Sequence, residues 1–171
     1  MMSADRAVTA PKIGLINPKS ASNVAVILRA AACFGLDEIV YTGKRYEYAK
    51  GFQEDTKKLR NSIPLSAVDD IFSNIPKDFV SVAVELTEGA CPLPEFAHPE
   101  KAFYILGPED GSIPMACIKK CEHVVYIPTQ SSMNLAVTAN VVLYDRLAKS
   151  NYEKGNDLIK ASRDRNNNTS I

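Results

Sequence analysis

Neither sign of charge predominates in this chain: Lys plus Arg number 20, Asp plus Glu number 20, and the formal net charge is zero. That balance excludes the strongly basic class of nucleic-acid binders, although a local basic patch is enough to hold phosphates. Long hydrophobic runs are also missing, and none approaches the ~20 apolar residues of a membrane span. The opening residues MMSADRAVTAPK contain no apolar core of signal-peptide length. A reducing cytoplasm is therefore expected, with Cys33, Cys91, Cys117 and Cys121 as free thiols. Histidine is scarce. Cys117, Cys121 and His123 form C-x3-C-x-H, but no second ligand pair lies nearby and His98 is the other histidine. A structural zinc site needs four ligands, so two packed thiols and no metal are expected. The glycine fingerprint G-x-G-x-x-G and the P-loop G-K-[ST] are both absent, which counts against a Rossmann-type oxidoreductase and against a P-loop nucleotidase.

What is present is the pattern of one α/β domain. A chain of 171 residues buries enough surface to need no staples. The spacing predicts strands at Lys12–Ile16, Glu38–Tyr41, Phe79–Leu86, Ala102–Leu106 and Val124–Ile127. Helices are expected after Ser22 or Asn23 up to Gly35, over Gln53–Asn61, over Ala67–Ser73 with Ser66 as cap, over Ile113–Lys120 and over Asn134–Lys149. Thr42–Gly51 reads as a polar loop and 87–100, with three prolines, as another. Residues 1–10 form a short lead, 1–150 one domain, and 151–171 a polar tail expected to fray. Strands alternating with helices predict a mostly parallel sheet covered on both faces, with ligands outside the carboxyl ends of its strands. The loops at issue are then 17–23, 42–51, 86–91, 107–113 and 127–133.

Three of these junctions carry polar residues that chemistry can use. Arg29 interrupts the apolar run AVIL-R-AAACF. A charge there must reach solvent or a partner, either as a snorkelling side chain at the helix margin or aimed back over Ala25 toward loop 17–23, since helical side chains lean toward the N-terminus. The stretch GPEDGSIP, residues 107–114, ends an apolar strand and opens a helix; Glu109 and Asp110 there also suit a helix N-terminus. At the third junction, Tyr126–Leu135, Ser131 and Ser132 can cap the long helix and Asn134 falls in its first turn.

Together and in this order, the three junctions resemble the SPOUT methyltransferases in their SpoU (TrmH-like) branch. The first family block, N-x-G-x-x-x-R on a helix ending in F-G, corresponds to Asn23-Val24-Ala25-Val26-Ile27-Leu28-Arg29 and Phe34-Gly35. The second, an apolar strand running into G-x-E-x-x-G, corresponds to FYILGPEDGSIP. The third, I-P followed by S-[LM]-N-L, corresponds to Ile127-Pro128 and Ser132-Met133-Asn134-Leu135. Two positions depart from the pattern. Ala25 stands in the place of a glycine, and Gly111 comes one residue early, leaving Ser112 in the place of another; strain is expected at Ser112 if that position needs a positive φ.

The resemblance implies an α/β fold whose C-terminal third is threaded into a trefoil knot, and a homodimer with each active site near the subunit interface. It implies S-adenosylmethionine as cofactor, bound by Leu86, Gly107, Pro108, Gly111, Ile127, Pro128, Ser132, Met133 and Leu135. It implies RNA as substrate, methylated at a ribose 2′-oxygen, with tRNA favoured over rRNA. Arg29 is then the leading catalytic residue, with Asn23, Glu109 and Asn134 beside it. A guanidinium is a poor base, so Arg29 is expected to hold the adjacent phosphate and to stabilise the developing alkoxide. Lys44, Arg45 and Tyr46, with Tyr48 close by, form a basic loop with aromatics that suits RNA. The rival reading is an RNA-binding protein of the same fold with weak or lost catalysis, suggested by Ala25 and Ser112.

Overall fold

The computed structural model describes residues 9–49, 63–164, 166, 167, 169 and 170. Seven strands form one parallel sheet: β1 (Lys12–Leu15), β2 (Glu38–Tyr41), β3 (Leu65–Ala67), β4 (Val80–Val84), β5 (Cys91–Pro92), β6 (Ala102–Leu106) and β7 (His123–Tyr126). Their order across the sheet is β3-β2-β1-β6-β4-β7-β5. From β4 the chain runs to the edge at β5, returns to β6 on the far side of β4, then leaves again for β7 between β4 and β5. Register aligns Tyr41 with Leu15, Leu15 with Leu106 and Leu106 with Val84. The carboxyl ends therefore share one edge, where the loops named above emerge.

The centre of the sheet is apolar because it is covered on both sides. Every residue of β6, AFYIL, is buried, as expected for a strand with no solvent face. Ile13, Leu15, Tyr104 and Leu106 point into one cluster, while Val40, Ala83, Phe103 and Ile105 point into a second on the opposite face, as the two-residue period of a strand requires. Helix α1 (Ala21–Phe34) buries Val24, Ile27, Leu28 and Ala31, the spacing of one helical stripe. It packs against α4 (Leu135–Ala148), which buries Leu135, Ala136, Ala139, Val142 and Leu143. Gly35 ends α1 at φ 67°, and the Leu36 N–H bonds back to the Ala31 carbonyl; a left-handed residue here favours glycine.

Several elements differ from the sequence expectation. Ser20, rather than Ser22 or Asn23, caps α1, its hydroxyl accepting from the Asn23 N–H; the Asn23 side chain is engaged elsewhere. No helix starts at Ser66. Residues 65–67 pair with β2 instead, with Ile39 N–H donating to the Pro64 carbonyl and Val68 N–H to the Tyr41 carbonyl. A sheet edge with unpaired backbone groups outcompetes a short helix. The cap lies later, where Asp70 accepts from the Phe72 and Ser73 N–H groups and begins a single 3₁₀ turn at Phe72–Asn74. In the proline-rich 87–100 stretch, Cys91–Pro92 form a two-residue edge strand on β7, a place where proline is tolerated. The expected loop after Tyr41 contains a short helix, α2 (Arg45–Ala49). The expected helix Gln53–Asn61 lies outside the described residues. Met115–Ile118 form α3, and the polar tail contains a helix, α5 (Asn156–Ser162), that buries nothing. Among the described residues no helix is long and apolar enough to cross a membrane.

Candidate active site

A cleft opens at the carboxyl ends of β4, β6 and β7, enclosing about 710 Å³ of space open to solvent. Val84, Glu85 and Leu86 line it from the first strand end, Leu106 to Glu109 with Gly111 from the second, and Tyr126, Ile127, Thr129, Ser132, Met133, Leu135 and Thr138 from the third. Eight residues expected at the cofactor, namely Leu86, Gly107, Pro108, Gly111, Ile127, Ser132, Met133 and Leu135, fall in this lining; Pro128 does not, and is exposed.

Gly107 is required by close approach rather than by its backbone angle. A Cβ there would lie 3.1 Å from the Ile113 backbone N and 3.1 Å from its Cγ1. The loop thus folds tightly back over the strand end. Neither Gly111 nor Ser112 has a positive φ; Asn17 is the non-glycine residue that does among those described. The early glycine therefore leaves Ser112 without the backbone strain that its sequence position suggested.

The three blocks meet through side chains. Glu109 accepts hydrogen bonds from the Lys19 N–H at 2.8 Å, the Ser20 N–H at 2.9 Å and the Asn23 side-chain amide at 3.0 Å. Asn23 in turn accepts from the Asn134 side-chain amide at 3.1 Å. Asn134 caps α4, its carbonyl oxygen accepting from the Ala136 and Val137 N–H groups. Burial alone would raise the Glu109 pKa, but the bonds from Asn23, Ser20 and Lys19 outweigh it and hold the carboxyl below its usual range. Glu109 is therefore an anion held by the residues that lead into α1, joining loop 107–113 to loop 17–23. It forms no hydrogen bond or ion pair with Arg29.

A second clamp closes the same edge. The Arg45 Nη1 donates to both Asp110 oxygens at 2.7 and 2.9 Å, and its Nε reaches the Asn17 carbonyl at 3.2 Å. Asn17 sits at φ 46° against Gly43, where a Cβ would meet the Asn17 Oδ1 at 2.2 Å. The Arg45 guanidinium beside Asp110 holds that carboxyl below the usual range, with Lys19 adding to the effect.

Two expectations for the basic loop are corrected by this geometry. Tyr46 is 1% exposed and packs edge-on against the Tyr41 ring at 5.0 Å, so it belongs to the core and has no face for a base. Arg45 is committed to Asp110 and Asn17 rather than free for RNA. Lys44 and Tyr48 are the exposed members of this loop, Tyr48 at 74%. Arg29 is exposed and forms no hydrogen bond or ion pair among the described residues. It is not in the cleft lining. It lies on the outer face of α1 with Ser22, Val26 and Cys33, six residues or about 9 Å along the axis from Asn23.

Cys117 and Cys121 behave as packed thiols. The Cys121 Sγ donates to the Cys117 carbonyl at 3.3 Å, and burial pushes its pKa up to about 11. Sequence reasoning passed over Glu85. Its Oε1 accepts from the Leu86 N–H at 2.9 Å and its Oε2 from the Ile113 N–H at 2.7 Å, fastening the second loop to the end of β4. A lone acid after the run VSVAV was the signal available.

Among solved structures, the A. aeolicus TrmH/SpoU tRNA modifying enzyme is similar at TM-score 0.70 and 17% identity, covering 81% of this chain and 74% of that one. The SpoU methyltransferase AviRb from Streptomyces viridochromogenes, solved in complex with the cofactor AdoMet, is similar at TM-score 0.67 and 21% identity, with 79% of this chain and 58% of that one covered. A structure concerning the 2-OH methylation of C/U34 on tRNA gives TM-score 0.66 and 19% identity, covering 82% and 95%. Identities this low establish the shared fold. Among curated proteins no sequence match is found. Residues 11–144, which carry all three blocks and both clamps, match the SpoU rRNA methylase family, and the chain belongs to that family of RNA methyltransferases.

Proposed function

We propose that the protein transfers a methyl group from S-adenosylmethionine to a ribose 2′-hydroxyl of RNA, with tRNA as the favoured substrate and rRNA the other. The observation that carries this reading is the cleft itself, whose walls come from the strand ends and loops of the second and third blocks and are fixed by the Glu109–Asn23–Asn134 chain. The residues fit the cofactor. The bare Gly107 lets Ile113 fold tightly over the strand end, Leu86, Ile127 and Leu135 supply apolar walls, and among the described residues no cationic side chain lines the cleft to repel a sulfonium. When bound, S-adenosylmethionine supplies a methyl group already activated for displacement by its positive sulfur. The protein's own task is alignment, which contributes roughly 7–11 kcal/mol in well-ordered sites, and treatment of the acceptor hydroxyl. Arg29 serves the acceptor. Its guanidinium grips a backbone phosphate of the RNA and stabilises charge on the ribose oxygen, while the phosphate or a water takes the proton. Lys44 and Tyr48 add a cation and a stacking face.

The active unit is a homodimer. Val26 on α1 and Val137 and Tyr144 on α4 are 47%, 49% and 64% exposed, and Val26 shares its stripe with Arg29. Covering that apolar face with a second copy brings Arg29 to the interface. The path of the chain from β4 to β5, back to β6 and out to β7 supports the trefoil threading expected of the family.

Incubation with bulk RNA and methyl-labelled cofactor, followed by mapping of the labelled nucleotide, tests the reading. A 2′-O-methylated ribose supports it; label on a base refutes the ribose assignment. Arg29 lies outside the cleft lining, which favours the alternative of an RNA-binding protein without catalysis. Calorimetry separates the two, because that alternative requires RNA binding with no affinity for S-adenosylmethionine.

A further inference from the structure

Glu85 stands in the cleft with acceptor capacity to spare. A carboxylate offers about four lone-pair sites, and the described structure uses two of them, one from the Leu86 N–H and one from the Ile113 N–H. The carboxylate faces the bare strand end of the second loop, where a Cβ on Gly107 would come 3.5 Å from Glu85 Oε2. Glu109, the other acid of the lining, has three donors. Among the described residues Lys, Arg and His are missing from the lining, and the cations Lys19 and Arg45 are paired with Asp110.

We propose that Glu85 is a specificity-determining residue that makes the cleft prefer the cationic methyl donor to its neutral demethylated product. The inference rests on the assignment of the cofactor above. In the transfer, the carbon–sulfur bond breaks and a carbon–oxygen bond forms to the ribose. The hydroxyl proton passes to the RNA phosphate or a water, and the sulfur keeps the electron pair and so loses its positive charge. Donor and product otherwise share every atom. Contacts with the loops therefore cancel when the two are compared, and what remains is the attraction between the sulfonium and fixed negative charge in a partly desolvated cleft. Weakening of that attraction on transfer favours product departure over retention.

The test is calorimetric titration of the full-length protein with S-adenosylmethionine and with S-adenosylhomocysteine, in wild type, Glu85→Gln and Glu85→Asp. Wild type is expected to bind the donor more tightly than the product. Glu85→Gln should shrink that preference by roughly tenfold, as removal of one opposing charge does. Glu85→Asp, which keeps the charge, should retain most of the preference even if both affinities fall. Equal weakening of donor and product by Glu85→Gln, with the ratio unmoved, overturns the proposal and leaves Glu85 as a fastener of the second loop. Failure of wild type to bind either compound overturns the cofactor assignment itself, a result distinguishable from the first.

Discussion

The Asn23 side-chain amide donates to the Glu109 carboxylate at 3.0 Å across a separation of 86 residues. The same carboxylate holds the Lys19 and Ser20 N–H groups just ahead of α1, so one acid both fixes the entry to a helix and docks the second loop on the first. Glu109→Ala leaves two backbone donors and one amide without their acceptor. A loss of about 1–2 kcal/mol in urea denaturation is expected, together with weaker S-adenosylmethionine binding by calorimetry. A variant as stable as wild type would show that water replaces the carboxylate at no cost.

Arg29→Ala should behave in the opposite way. The side chain is exposed and unpaired among the described residues, so stability should change by no more than about 0.5 kcal/mol. Cofactor affinity should also hold, while methyl transfer falls by roughly 10²–10³-fold. Parallel loss of cofactor binding and turnover would assign Arg29 to the fold of the site instead.

Gly107→Ala tests the close approach. The added methyl would press at 3.1 Å on the Ile113 N, which is backbone and yields little. It would also disturb the bond from that N–H to Glu85. Expected costs are about 1–3 kcal/mol of stability and a lower affinity for S-adenosylmethionine. Thermal shift with and without the cofactor reads both.

The exposed apolar stripe of α1 and α4 predicts a concentration-dependent assembly. Tyr144→Glu places a charge on the exposed part of α4, and sedimentation should then report a monomer where wild type gives a dimer. An unchanged dimer would move the interface to another face.

Stability should fall on the acid side through His98. Its ring is 4% exposed, with Nε2 at 2.8 Å from Asp145 Oδ2 and Nδ1 at 2.6 Å from the Tyr104 hydroxyl. Burial lowers its pKa below 6.5, outweighing the support that Asp145 gives the cation; Lys149 and Arg146 lower it further. Burial pushes the Tyr104 hydroxyl up to about 12, so it keeps its proton and donates to Nδ1. The unfolded state binds the proton more readily than the folded one. The contribution is therefore intact above pH 6.5 and is lost as pH falls through the lower folded value. Melting curves between about pH 8 and pH 5 should show this slope in wild type, and His98→Gln should flatten it; identical slopes would remove His98 from the acid response.

Much of this could be read before any coordinates. The buried strands AFYIL and VSVAV and the αL glycine at 35 announce themselves by composition and period, and the three junctions fall at one sheet edge because parallel strands require it. What escaped was decided by long-range pairing. Tyr46 reads as part of a polar loop, yet a helical turn directs it against Tyr41. Ser66 reads as a helix cap, yet the open side of β2 claims its backbone. Arg45 reads as a free cation, and nothing local reveals Asp110, 65 residues on. Glu85 was invisible for the same reason, since its partner Ile113 lies 28 residues later.

Every residue lining the cleft falls between Val84 and Thr138. During synthesis the amino-terminal half, with β1, α1 and β2, emerges before any wall of the pocket exists. Ligand capture is thus reserved for chains that have completed the later crossings, and a saturating methyl donor would shield those finished molecules from unfolding by mass action. The pocket thus exists only once the second half of the sheet is in place.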